Sequence, residues 1–163
     1  MRNILLLILI AIAGLSYGQE HFGNEALIFS FNTQNGKKVI LSKDTSNNYI
    51  IYRYVCNGKI EFEFPNKLKS SWKDFKYSYY LRGGGVQNEG VDLNYIYFIN
   101  NNYKYIIYDT SHIIGDKSNI GVKIIDLKTN KITNIKGNPK TRKGTLVDFR
   151  DNNLLEIGEE LFD

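Results

Sequence analysis

One cysteine, two prolines, one tryptophan and two histidines are all that 163 residues contain of these types, and each shortage excludes something. With Cys56 alone no intramolecular disulfide can form, so stability has to come from a buried core. Cys56 stands beside Asn57-Gly58, a strong signal for a two-residue hairpin turn, and reads as a turn-adjacent structural residue rather than a catalytic thiol. Of the histidines, His21 lies near the start and His112 closes Asp109-Thr110-Ser111-His112. That run suggests a hydrolase triad, but neighbours on a strand alternate faces, so Asp109 and Ser111 point one way and His112 the other. The chain has no His-x-x-x-His, no cysteine pair and no Asp-x-Asp-x-Asp-Gly loop. Neither catalytic residues nor a metal site nor a cofactor is therefore expected.

Long apolar runs are absent except at the start, where Arg2 precedes Ile4–Ala13 and small residues follow at Ser16 and Gly18. This is the pattern of a cleaved signal peptide over residues 1–18, with the cut before Gln19. A membrane anchor needs about 20 apolar residues, and Gly14, Ser16 and Gly18 interrupt the run first. Because position 19 is Gln and not Cys, the lipoprotein pattern is not met either. Residues 19–163 are expected to form a single domain in the periplasm or outside the cell, with no membrane span once the signal is removed. The 19 asparagines, abundant Lys and Ile, and lack of an Asn-x-Ser/Thr acceptor point to an AT-rich bacterial genome.

An excess of charge of either sign is lacking too. The net charge of +4 falls to +3 when Arg2 leaves with the signal. The basic residues Lys136, Lys140, Arg142 and Lys143 read as a solvated loop, and no nucleic-acid partner is expected.

What the chain does have is tyrosine and alternation. Phe75 to Ile99 reads as a tyrosine-rich strand, a glycine loop and a second tyrosine-rich strand. Phe75, Tyr77 and Tyr79 alternate with Lys76, Ser78 and Tyr80, the period of two that assigns side chains to opposite faces. Similar runs at Ala26–Phe31, Lys38–Ser42, Tyr49–Val55, Lys59–Phe64, Tyr103–Thr110, Gly121–Leu127, Lys131–Lys136 and Gly144–Phe149 are separated by turn clusters. Pro65 stops the fourth run, since proline cannot donate to a ladder. Asn66–Asp74 reads as a loop with one helical turn, with Trp72 as a lid over the core. Leu154–Phe162 is either a short closing strand or a helix. The sum is an all-β antiparallel meander of about ten short strands, either a closed or nearly closed barrel or a β-sandwich. The exposed edges of tyrosine-rich strands favour closure. Tyr49-Ile50-Ile51-Tyr52 recurs as Tyr105-Ile106-Ile107-Tyr108, an echo at an offset of 56 that either duplication or convergent composition explains.

Arg82-Gly83-Gly84-Gly85 is the most unusual loop. Three glycines free the backbone for positive φ and for close approach, and amides beside an arginine can form an anion-binding nest. Gln87 and Asn88 add hydrogen-bonding groups. Two readings follow: a binding site of Arg82, Gly83, Gly84, Gly85 and Asn88 walled by Tyr79 and Tyr95, or a structural corner in which Arg82 pairs with Glu89 or Asp92. In size, export and all-β character the chain resembles the small periplasmic inhibitors of lysozyme and the immunity proteins that guard against cell-wall toxins. It lacks their cysteine-bearing motifs, so the resemblance is one of architecture. The expectation is an exported, non-enzymatic binding module of the bacterial cell envelope with a protein partner, of the inhibitor or immunity type. The alternative is a glycan or envelope-polymer binding protein that uses exposed tyrosines.

Overall fold

The computed structural model describes residues 22–65 and 70–162, so the expected signal peptide and His21 lie outside the described residues. Eleven strands occur among the described residues, in two sheets. Sheet one is a meander of β1 (Glu25–Asn32), β2 (Lys38–Asp44), β3 (Ile50–Cys56) and β4 (Lys59–Phe64). Sheet two repeats the plan with β5 (Phe75–Arg82), β6 (Val91–Asn100), β7 (Tyr103–His112), β8 (Lys117–Asp126) and β9 (Ile132–Lys136). The C-terminal region then adds β10 (Lys143–Gly144) to the free edge of β1 and β11 (Glu156–Ile157), in parallel, to the free edge of β5.

Local chemistry accounts for the turns. Asn57 and Gly58 both take positive φ, 49° and 74°, the primed turn whose twist matches the flanking strands. The β6–β7 turn places Asn101 at φ 54°, a conformation asparagine tolerates better than most residues. Trp72 sits in a single 3-10 turn (Ser71–Asp74), donates its indole N–H to the Asn47 carbonyl at 2.8 Å and packs on Phe149.

The sheets do not close into a barrel; the fold is a sandwich. Sheet one ends at β4, where Pro65 supplies no donor to continue the ladder, and the chain crosses to start sheet two afresh. One corner is nonetheless joined, by the isolated antiparallel bridge Thr33↔Gly137 and the Gln34 N–H to Lys136 carbonyl bond. The expected strand Gly144–Phe149 is mostly a 3-10 turn, Val147–Arg150. Leu146 and Phe149, three residues apart and both buried, fit the period of that turn and not the period of two. Strand β8 begins earlier than its apolar pattern, because Lys117, Ser118 and Asn119 ladder with His112, Ser111 and Thr110. Leu154–Phe162 is irregular apart from β11.

The core lies between the sheets. Phe29, Phe31, Val39, Leu41, Ile50 and Tyr52 come from sheet one, and Phe75, Tyr77, Ile96, Phe98, Ile107, Ile120 and Val122 from sheet two. Leu146, Phe149 and Leu155 of the C-terminal region join the same core. Along its side next to β4 the rings of Phe64, Phe98, Tyr105 and Phe62 stack in that order, with successive centroids 4.3, 5.0 and 5.2 Å apart. A second, smaller cluster covers the outer face of sheet two: Leu93, Tyr95, Tyr97 and Ile106, with Phe162 packed on it.

The 56-residue echo belongs to composition and not to a structural repeat. Ile50 and Tyr52 face the core between the sheets, whereas Ile106 and Tyr108, their counterparts in the echo, lie on the outer face of sheet two. In a strand, residues aligned in a true repeat share a face.

Candidate functional site

The glycine loop joins β5 to β6 at one end of sheet two. Gly84 and Gly85 take φ of 96° and 65°, and Glu89 follows at 50°. A Cβ on Gly84 would come within 2.1 Å of the Asn88 amide, so the Asn88 side chain lies directly against this bare backbone. Arg82 donates from Nε and Nη2 to the Glu89 carbonyl at 3.2 and 3.0 Å, with the Glu89 carboxylate 3.7 Å away. The arginine therefore braces its own loop, as the corner reading anticipates. The loop also leans on its neighbour: Ile113, in the β7–β8 turn, donates its N–H to the Gly90 carbonyl, and a side chain at Gly90 would collide with Ile113.

The two tyrosines expected to wall this loop are on opposite faces of the sheet. Tyr79 points to the side of the core, stacks on Tyr77 with centroids 5.7 Å apart and receives the Arg150 guanidinium 5.0 Å above its ring. Tyr95 points outward, is 1% exposed and lies edge-on beneath Phe162 at 5.4 Å. It offers no free ring to a sugar at the loop.

Next to Tyr79 the core gives way to a polar cluster. Asp92, Asn94 and Asp109 come from β6 and β7, and Arg142 and Arg150 reach in from the C-terminal region. Arg142 contacts both oxygens of Asp109, at 2.9 and 3.2 Å. Arg150 bonds Asp92 and, at 2.8 Å, the Asn94 carbonyl oxygen, which also accepts from the Tyr77 hydroxyl at 2.6 Å. Burial pushes the Tyr77 phenol up to about 12, so it stays a donor. Asp109 and Ser111 do share a face, with His112 on the other, and Asp109 is occupied by Arg142. Arg142, read from the sequence as part of a solvated basic loop, is thus an anchor of the C-terminal region.

Asp109 carries a testable pH signature. Burial raises its pKa above the ordinary 3.8, and the Arg142 charge opposes that shift without cancelling it. The folded state then holds this proton to higher pH than the unfolded chain, so the stability contributed by Asp109 is greatest in acid and falls as pH rises through its folded value. The stability difference between the protein and Asp109→Asn, from urea melts at pH 4 to 7, is expected to shift in favour of Asn as pH rises. A shift in favour of Asp over that window would mean that the Arg142 pair dominates.

The outer face of sheet two carries a groove of about 450 Å³ that no sequence motif announced. It is lined by Tyr95, Tyr108, Thr110, Asn119, Asn134 and Lys136, with Lys123 and Phe162 at one side. Its floor depends on Gly121: a Cβ there would come within 2.3 Å of the Tyr108 hydroxyl. With nothing in the way, the Tyr108 ring reaches over β8 and donates to Asn134 Oδ1 on β9 at 3.0 Å. Burial holds this phenol above its ordinary pKa, so it remains protonated. The available signal was an isolated glycine within a strand pattern, which marks a close approach of other groups.

The fold and these surfaces define an all-β sandwich built from two successive meanders and finished by its C-terminal region. No protein-family model, curated protein or solved structure matches the chain.

Proposed function

We propose that the chain is an exported, non-enzymatic binding module of the bacterial cell envelope, of the inhibitor or immunity type, and that it takes a protein partner at the end of sheet two around the glycine loop. The observation that carries this reading is the exposure of four aliphatic side chains there: Leu81 at 55%, Val86 at 71%, Ile113 at 48% and Ile114 at 50%. They sit at the end of β5, in the β5–β6 loop and in the β7–β8 turn, which the Ile113 to Gly90 bond ties together. Exposed apolar patches rimmed by polar residues mark interaction sites. The glycines let the loop take its positive-φ turn and Arg82 braces that turn through the Glu89 carbonyl, which lowers the ordering cost of association.

The test is capture from envelope and culture extracts by the mature domain and by Val86→Asp/Ile114→Asp. A stoichiometric protein partner is expected, with recovery by the variant down at least about tenfold and an unchanged melting temperature. Arg82→Ala is expected to weaken the same capture, since it removes the brace. No stoichiometric partner, or equal recovery by the charged variant, overturns the proposal. A second reading, binding of a glycan or envelope polymer, is favoured by the groove beside Tyr108 and not by an exposed Tyr95.

A further inference from the structure

The groove on the outer face of sheet two combines features that serve one class of ligand. Tyr108 extends across the sheet over Gly121 to Asn134, so its ring lies along the groove floor instead of standing away from it. An aromatic ring laid along a floor can stack against the C–H face of a pyranose. Around it stand groups that both donate and accept: the Thr110 hydroxyl and the amides of Asn119 and Asn134. Sugar hydroxyls need both functions from a site. The Asn134 carbonyl oxygen is used by Tyr108, which orients the amide and assigns its NH2 group to donate elsewhere.

Charge narrows the class further. Two lysines, Lys123 and Lys136, line the groove, and none of the described lining residues is Asp or Glu. Lys123 donates to the Phe162 carbonyl at 2.6 Å, a neutral partner that leaves its positive charge uncompensated by that bond. A groove of this volume accommodates one or two sugar rings, and its two ammonium groups suit an acidic substituent on one of them.

We propose that this groove binds a short acidic saccharide, a sugar ring bearing a carboxylate or phosphate, with the ring stacked on Tyr108, its hydroxyls on Thr110, Asn119 and Asn134, and its acidic group on Lys136 and Lys123. The inference rests on the saccharide reading above and not on the protein partner, and the groove shares no lining residue with the loop end proposed for that partner.

The experiment is a titration of the purified, isotope-labelled protein, followed by amide chemical shifts, with trigalacturonate, glucose 6-phosphate and neutral maltotriose. At least one acidic sugar is expected to bind, with shifts confined to the surroundings of Tyr108, Asn119, Asn134 and Lys136. Maltotriose should bind about tenfold more weakly or not at all. The carboxylate and phosphate arms distinguish the two sources of acid. Lys136→Gln, at an exposed position, should lower acidic-sugar affinity about three- to tenfold and leave maltotriose unchanged. Tyr108→Phe should retain stacking where Tyr108→Ala loses it. Binding of neither acidic sugar, shifts centred elsewhere, or an acidic preference that survives Lys136→Gln would each overturn the proposal. Val86→Asp/Ile114→Asp should bind the sugar normally and Lys136→Gln should capture the protein partner normally, so the two surfaces fail independently.

Discussion

Phe98→Ala is expected to cost about 3 to 5 kcal/mol of folding free energy, enough to bring a domain of this size to the margin of stability. Phe98 is 2% exposed, and four rings surround it: Phe64 at 4.3 Å, Phe75 and Tyr105 at 5.0 Å, and Tyr52 at 5.3 Å. These partners come from both sheets, so truncation opens a cavity at the seam of the sandwich. Stacked rings cannot collapse into such a void without giving up their offset geometry, which keeps the cavity cost high. Equilibrium urea unfolding measures the loss directly. A cost under about 1.5 kcal/mol would mean that the seam is plastic and that Phe98 is not its keystone.

The second large effect concerns the outer face of sheet one. Arg53 is fully buried and donates to Glu25 through two nitrogens, at 2.5 and 2.8 Å, and to Glu63 at 2.5 Å. Phe22 covers the guanidinium at 4.0 Å. Burial works against the charge, but the hydrogen bonds to Glu25 and Glu63 more than offset it and hold the pKa above its ordinary value. Such a pair adds little against an apolar replacement of both partners, yet removing one partner leaves a buried charge poorly compensated. Arg53→Met is expected to destabilise by about 3 to 5 kcal/mol, and Arg53→Met/Glu25→Gln to recover more than half of that loss. If the double variant is as unstable as the sum of its parts, the two residues are not coupled and the expectation fails.

The fold was legible where local chemistry decides it. The Asn57-Gly58 hairpin, the alternation from Phe75 to Tyr79 and the stop at Pro65 are short-range signals, and the structure follows them. Legibility failed where distant residues decide. Arg142 and Asp109 are 33 positions apart, and Arg150 and Asp92 are 58. No periodicity links such pairs, so the basic residues near the end looked like a loop in water. The choice of sandwich over barrel was hidden for the same reason: the edge of tyrosine-rich β5 is covered by two residues of β11, too short a segment to announce itself as a strand. For the candidate surfaces, the glycine loop was identified from composition alone. That Tyr79 and Tyr95 lie on opposite faces follows from the β5–β6 register, and Tyr95 is covered by Phe162, a contact with no sequence signature. Arg53 did leave a trace, as the lone charge in the apolar strand Ile50–Val55, where a buried ion pair is the usual solution.

The last part of the chain completes what the first part begins. Gly144 pairs with Phe29 of β1, with its φ at 77° and no room for a Cβ against the Ile28 carbonyl. Glu156 and Ile157 border β5, Leu146, Phe149 and Leu155 fill the core, and Phe162 roofs the outer face of sheet two. A chain delivered from its N-terminus onward therefore cannot cover the edges of β1 and β5 until residues 143–157 have emerged. Pairings that join residues so far apart along the chain bear a large loop-closure cost before they return any stability, so both edges are expected to be sealed late in folding.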